Sequence, residues 1–168
     1  MSIFRVIKRE DDGIEALQDR LTYIIRASAT FIEYIYPVGV SEWDAYRQMR
    51  LTKNAYGQEY GKAFYHYMLR PDSSDYDVIN ANGLFDIGRR VANLIAVFYG
   101  YYQVVSAEHF DTPPHLHFIA NNIDYMTGER FDLSPMRLYE LKQEINKILI
   151  ETGVTPVRLD IYDENDGE

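Results

Sequence analysis

Apolar residues recur along this chain with a period near two in some stretches and near 3.6 in others, and the switches between them mark out elements. "IFRVIKR" reads as a first strand, and "KAFYHYMLR" as a later one closed by Pro71 and the polar turn "DSSD". "GIEALQDRLTYIIR" is helical, with Leu17, Leu21, Ile24 and Ile25 on one stripe. "FIEYIYP" reads as a short strand or irregular segment. Ser41 predicts the N-cap of a helix running to about residue 55, with Glu42 and Asp44 in its first turn, where negative charge suits the helix dipole. Another helix is predicted between roughly residues 76 and 97, its last part "RRVANLIAVF".

Two strands follow, "YYQVVSAEH" and "HLHFIANNID". The connection "FDTPP" is too short for a crossover helix, so the pair is an antiparallel hairpin. After the turn "TGER", Ser134 caps a helix with Pro135 at its first position. Leu138, Leu141, Ile145, Ile148 and Leu149 form its apolar face, and Gly153 stops it. "VRLDIY" is a predicted last strand. Interspersed strands and helices with an antiparallel pair predict an α+β fold. The arrangement is a two-layer sandwich whose central antiparallel sheet is covered by helices on one face.

A chain of 168 residues, 46% of them hydrophobic, is long enough for one domain with a sizeable core. The expected division is a domain over 1–159 and an acidic tail over 160–168. Without a run of about 18 apolar residues, no membrane span is expected. The charged start "MSIFRVIKRE" does not resemble an export signal, so the cytoplasm is the default location. Without cysteine, any metal must be held by His, Asp or Glu. The net charge of −9 argues mildly against nucleic acid, but the last nine residues carry five of the acids, which leaves −4 for residues 1–159. Arg47, Arg50, Lys53 and Lys62 face only Glu59 as a nearby acid. With Tyr46, Tyr56 and Tyr60 they could supply cations and stacking surfaces to a nucleic acid, or simply a solvated face.

Three of the four histidines lie in "EHFDTPPHLHFIAN". On a strand His115, His117, Ile119 and Asn121 point one way, and Leu116, Phe118 and Ala120 the other, towards covering helices. An i, i+2 pair of imidazoles stands roughly 7 Å apart at the backbone and can reach one ion. His109, across the hairpin, can supply a third nitrogen. Such a cluster suits a divalent cation with positions left open. Asp111 is a candidate to orient one of the imidazoles.

At these residues the chain resembles the relaxases, mobilisation nucleases of plasmids and integrative elements within the HUH endonucleases. The His–hydrophobic–His motif is His115–Leu116–His117, followed by Asn121 and "TGERF". "YGQEYGKAFYHYMLRPDSSD" and "LQDRLTYIIRASAT" resemble two further relaxase segments, the second containing the nucleophilic tyrosine. The resemblance covers most of residues 1–150. It implies site- and strand-specific DNA nicking by tyrosine transesterification, through a 5′-phosphotyrosine, with Mg or Mn on His109, His115 and His117. Zn, Ni or Co could replace them in purified protein. It implies single-stranded DNA at a transfer origin as partner, relaxosome accessory proteins as further candidates, and Asn121 among the DNA contacts. Tyr23 is the expected nucleophile, since it lies roughly 145° off the apolar stripe of its helix, with Tyr34 and Tyr36 as runners-up. His66 is expected to be a core or rim histidine, or else a phosphate contact. The chain departs from the pattern in the short His109–His115 spacing, in "ASAT" after the tyrosine, and in Arg70–Pro71 where "S-F" is usual. The competing expectation is therefore a degenerate or truncated relaxase-like domain that binds metal or single-stranded DNA without nicking. A metal-dependent hydrolase of another substrate is a remoter one.

Overall fold

The computed structural model describes residues 1–79 and 81–160. Five strands form one antiparallel sheet: β1 (Ile3–Val6), β2 (Ile35–Val38), β3 (Phe64–Arg70), β4 (Val104–His109) and β5 (His115–Asn121), in the order β1-β3-β5-β4-β2. The expected β4–β5 hairpin is present, and its register sets His109 directly opposite His115. One row of residues crosses the whole sheet on a single face: Arg5, Met68, His117, Ala107 and Ile35.

Helices α1 (Ile14–Ile24), α2 (Ala45–Ala55), α3 (Ala81–Ala96) and α4 (Pro135–Glu151) surround the sheet. The larger core lies under α3 and α4, where Ile87, Val91, Leu141 and Ile145 meet Tyr67, Leu69, Leu116 and Phe118. Gly88 lets α3 lie close to β5, because a Cβ there would stand 2.7 Å from Leu116 Cδ2. Helices thus cover one face of the α+β sheet as its alternation requires. The opposite face carries a second, smaller apolar layer. Phe64, Val105, Ala107 and Ile119 project there and are covered by Leu17, Leu21 and Ile24 of α1 and Met49 of α2. Each fully buried Leu or Ile contributes about 1.5–3 kcal/mol, so apolar residues on this face draw helices over that part of it.

Some boundaries differ from expectation. Ser134 caps α4 as predicted, accepting the Arg137 N–H at 3.2 Å, and Gly153, at φ +76°, follows its end. Ser41 does not cap α2. It opens a turn instead, and its own N–H is taken by Gln48 Oε1 at 2.8 Å, while Asp44 at the N-cap position pairs with Arg47. In place of a last strand, Val157 makes a single parallel bridge to Ser2. Ile161, Tyr162 and the rest of the acidic tail lie outside the described residues, and Asp160 pairs with Lys142 at 2.6 Å. Among the described residues no helix is long and apolar enough to cross a membrane.

Candidate active site

The hairpin brings His109, His115 and His117 together, with one ring nitrogen from each within 4.8 Å of the others. The remaining nitrogens fix which atom faces inward. His109 Nε2–H donates to the Ile24 carbonyl at 2.8 Å, and His115 Nδ1–H donates to the Pro113 carbonyl at 2.8 Å. A carbonyl only accepts, so these nitrogens carry the protons and the lone pairs sit on His109 Nδ1 and His115 Nε2. His117 Nδ1 lies 2.8 Å from His66 Nε2, which leaves His117 Nε2 for the cluster. His109 Nδ1 and His117 Nε2 are buried without a hydrogen-bond partner.

Burial lowers the His109 pKa to about 4, and burial together with the neighbouring imidazoles lowers that of His117 further. Burial, reinforced by the positive charges of Arg20 and Arg9, takes His66 down to about 3. At neutral pH these rings are neutral, the form that ligates metal. A cation with bonds of about 2.1 Å to nitrogen spans at most about 4.2 Å between two ligands. Three ligands around one ion stand closer still, about 3.4 Å apart in a tetrahedral set, so the ring nitrogens would draw together by rotation to close on it. The donor set, its tautomers and its orphaned buried nitrogens fit a divalent cation.

Tyr23, in the last turn of α1, stands over this cluster. Its ring centroid is 5.7 Å from that of His109 and 5.6 Å from that of His117, edge-to-face with both. The Arg26 guanidinium lies over the Tyr23 ring, 4.0 Å from its centroid, and also donates to the Tyr23 carbonyl at 2.7 Å. Asp111 reaches Arg26 at 3.5 Å. The three imidazoles take the partners named above, so Asp111 bears on the site through Arg26 and not, as expected, through a histidine. Tyr34 packs instead on Phe85 and Phe110, and the Tyr36 hydroxyl donates to Asn93 Oδ1 at 3.3 Å.

The expected DNA contacts divide. Arg47 and Arg50 are exposed on α2 but paired, with Asp44 and with Glu59 at 3.0 Å, and Lys62 is paired with Asp12 at 3.0 Å. Lys53 and Asn121 turn inward, which corrects the expectation that they meet DNA. Lys53 is fully buried, its Nζ donates to Asn122 Oδ1 at 2.5 Å, and burial followed by the nearby Arg130 charge lowers its pKa to about 7. Asn121 donates to Gln103 Oε1 at 3.0 Å and to the Met49 carbonyl at 3.3 Å, tying α2 to the sheet. The sequence reading missed Arg26 and the role of His66 as the partner of His117. The strand pattern of "KAFYHYMLR" marks His66 as one of the residues facing away from Tyr65 and Tyr67, but not which strand lies beside it.

Comparison with known proteins adds three findings. The family model for relaxases of the MobA/VirD2-like type, nuclease domain, matches residues 24–154, beginning one residue after Tyr23. A search of curated protein sequences found no match. Among solved structures, the Mn-bound relaxase domain of MobM with oriT DNA of plasmid pMV158 superimposes with a TM-score of 0.68 at 13% identity, covering 99% of this chain and 94% of that one. A second MobM complex gives 0.66 at 12% identity, with the same coverage.

Proposed function

We propose that this chain, which belongs to the MobA/VirD2-like relaxase nuclease family, nicks one DNA strand at a transfer origin by transesterification onto Tyr23. The observation that carries the reading is the Tyr23 ring edge-on to two of three histidines whose free nitrogens converge. The Mn and the oriT DNA in the MobM complexes support it. Residues 1–159 act as the nuclease unit, with an acidic tail beyond, in the cytoplasm.

His109 Nδ1, His115 Nε2 and His117 Nε2 would hold a divalent cation, Mg or Mn, whose charge supplies polarisation of the phosphate when bound. Tyr23 Oη forms the new bond to phosphorus. Its proton leaves to solvent, the P–O3′ bond breaks, and the 3′-oxygen takes up a proton to become a free hydroxyl. Arg26 holds the ring from one face and places a positive charge beside the developing phenolate. Asp111 keeps Arg26 in that position. Ile24, Pro113 and His66 hold the three imidazoles in the tautomers that leave their lone pairs inward.

The test is a covalent adduct. Wild-type protein with single-stranded DNA from the parent element's transfer origin and Mn should give a protein–DNA species that survives denaturation. Tyr23→Phe should lose the adduct while keeping metal and DNA binding. An adduct that persists in Tyr23→Phe moves the nucleophile elsewhere. No adduct from the origin strand, with Mn bound, favours the non-nicking reading.

A further inference from the structure

The apolar layer beneath α1 and α2 takes in only part of the histidine face. β3 contributes only Phe64 to the core beneath α1 and α2, and β1 contributes nothing. The remaining strip runs from the histidines across β3 to the sheet edge at β1. The register fills it with Met68 and two arginines: Arg5 lies opposite Met68, itself opposite His117, and Arg70 lies opposite Ile3, two residues beyond Met68 on the same face. The last β3–β5 pair is Leu69 with Leu116, so Arg70 is level with His115. Strands lie about 4.8 Å apart. The Arg70 backbone is thus one spacing from that of His115, and the Arg5 backbone two from that of His117.

Among the described residues six of the twelve arginines have a carboxylate partner, and Arg5 and Arg70 are two of the six that do not, although the chain holds 26 acids to 17 bases. Arg5 Nε is also buried without a hydrogen-bond partner. A buried guanidinium N–H without an acceptor is destabilising until an anion supplies one. Beyond them, Arg9, Arg20 and Lys62 line a cleft with His66, where Asp11 and Asp12 offset part of their charge. The planar fork of a guanidinium matches two oxygens of a phosphate.

We propose that Arg5 and Arg70 grip backbone phosphates adjoining the scissile one, so that the single strand leaves the histidine cluster across β3 and β1. The inference rests on the single-strand reading above. Arg5 and Arg70 act here as positioning residues. They fix which phosphate lies under Tyr23 and do not touch the reacting atoms.

The probe is a fluorescent oligothymidine of about 16 nucleotides, titrated with the full chain over a range of salt. A phosphate contact on a single strand contributes about 0.7 to the slope of log K against log salt, worth about 5-fold in affinity at about 0.1 M. Arg5→Gln and Arg70→Gln should each weaken binding by about that factor. The double variant should lose about 25-fold, with a slope shallower by about 1.4. Arg5→Lys and Arg70→Lys should restore the slope, because the charge returns. Arg89→Gln, remote on α3, should bind as wild type. A double Gln variant with the wild-type melting temperature, affinity and slope overturns the proposal. If the wild-type chain itself fails to bind the oligonucleotide, the single-strand reading fails, and this inference with it.

Discussion

Replacing His66 by Phe should weaken metal binding at a site that His66 does not itself join. His66 and His117 are both buried, with Nε2 and Nδ1 2.8 Å apart. For His117 Nε2 to offer a lone pair to a cation, its proton must sit on Nδ1 and be donated to His66. Phe keeps much of the ring volume and removes the acceptor. Two outcomes are then open to His117. It can keep its proton on Nδ1 and leave a buried donor unmet, at about 1–3 kcal/mol. Or it can move the proton to Nε2, which then faces the cluster and must be displaced when metal binds. Both act against the bound state. Losing an outer partner of a ligating histidine typically weakens metal affinity 10–100-fold, about 1.4–2.7 kcal/mol.

Titration calorimetry of Mn(II) into metal-free protein at neutral pH measures the change directly. Thermal denaturation with and without Mn(II) gives a second reading, since the stabilisation follows RT ln(1 + [L]/Kd). His66→Gln, whose side-chain oxygen can accept the same proton, should recover much of the loss. A folded His66→Phe protein with the wild-type Kd for Mn(II) would refute the assignment of tautomers, and with it the role of His66.

Two further outcomes follow from the same structure. Metal-free protein should lose stability as pH falls from about 6.5. His109 and His66 titrate near 6.5 when unfolded but near 4 and 3 when folded, so the unfolded state binds more protons in that window, at up to about 1.4 kcal/mol per pH unit for each. Glu108, which burial raises from 4.5 to about 8, acts oppositely, and its contribution is lost as pH rises through about 8. Urea denaturation of wild type and Glu108→Gln at pH values across that range separates the two arms, and a wild-type profile flat from about 6.5 to 5 would count against the buried-histidine account. Gly128→Ala should destabilise by about 1–3 kcal/mol, lowering the melting temperature by about 2–4 °C per kcal/mol. The residue has φ +77°, and a Cβ there would stand 2.3 Å from the Tyr56 ring. An unchanged melting temperature would show that the turn relaxes freely.

Local signals carried most of the site. Alternation along β5 separates the histidine face from the Leu116 and Phe118 face, and the short "FDTPP" connection sets His109 across from His115. The same alternation puts Asn121 in line with His117 and Ile119, which is why it is buried. Ala45, Met49 and Lys53 are all buried, at helical i, i+4 and i+8 spacing on α2. Lys53 thus lies on the packed stripe of its helix, and its charge drew it into the DNA-contact reading against that spacing. What the sequence could not supply was long-range pairing. β3 lies between β1 and β5 although it is remote from both in the chain. The His66–His117 contact and the position of Arg70 beside His115 both depend on that pairing.

The end of α1 links these parts into one site. Its apolar periodicity extends through Ile25, but the helix ends at Ile24. The carbonyls of a final turn have no partner within the helix and carry its partial negative charge. Two adjacent ones are used here: Tyr23 O accepts from Arg26, and Ile24 O accepts from His109. One helix end therefore seats the guanidinium against the tyrosine ring and sets the tautomer of His109. A helix continued by another turn would engage both carbonyls internally. His109 could then present either nitrogen to the cluster, and Arg26 would lose its anchor beside Tyr23. The position at which α1 stops thus fixes Tyr23, the proposed nucleophile, and His109, a proposed metal ligand, relative to each other, through two consecutive peptide groups.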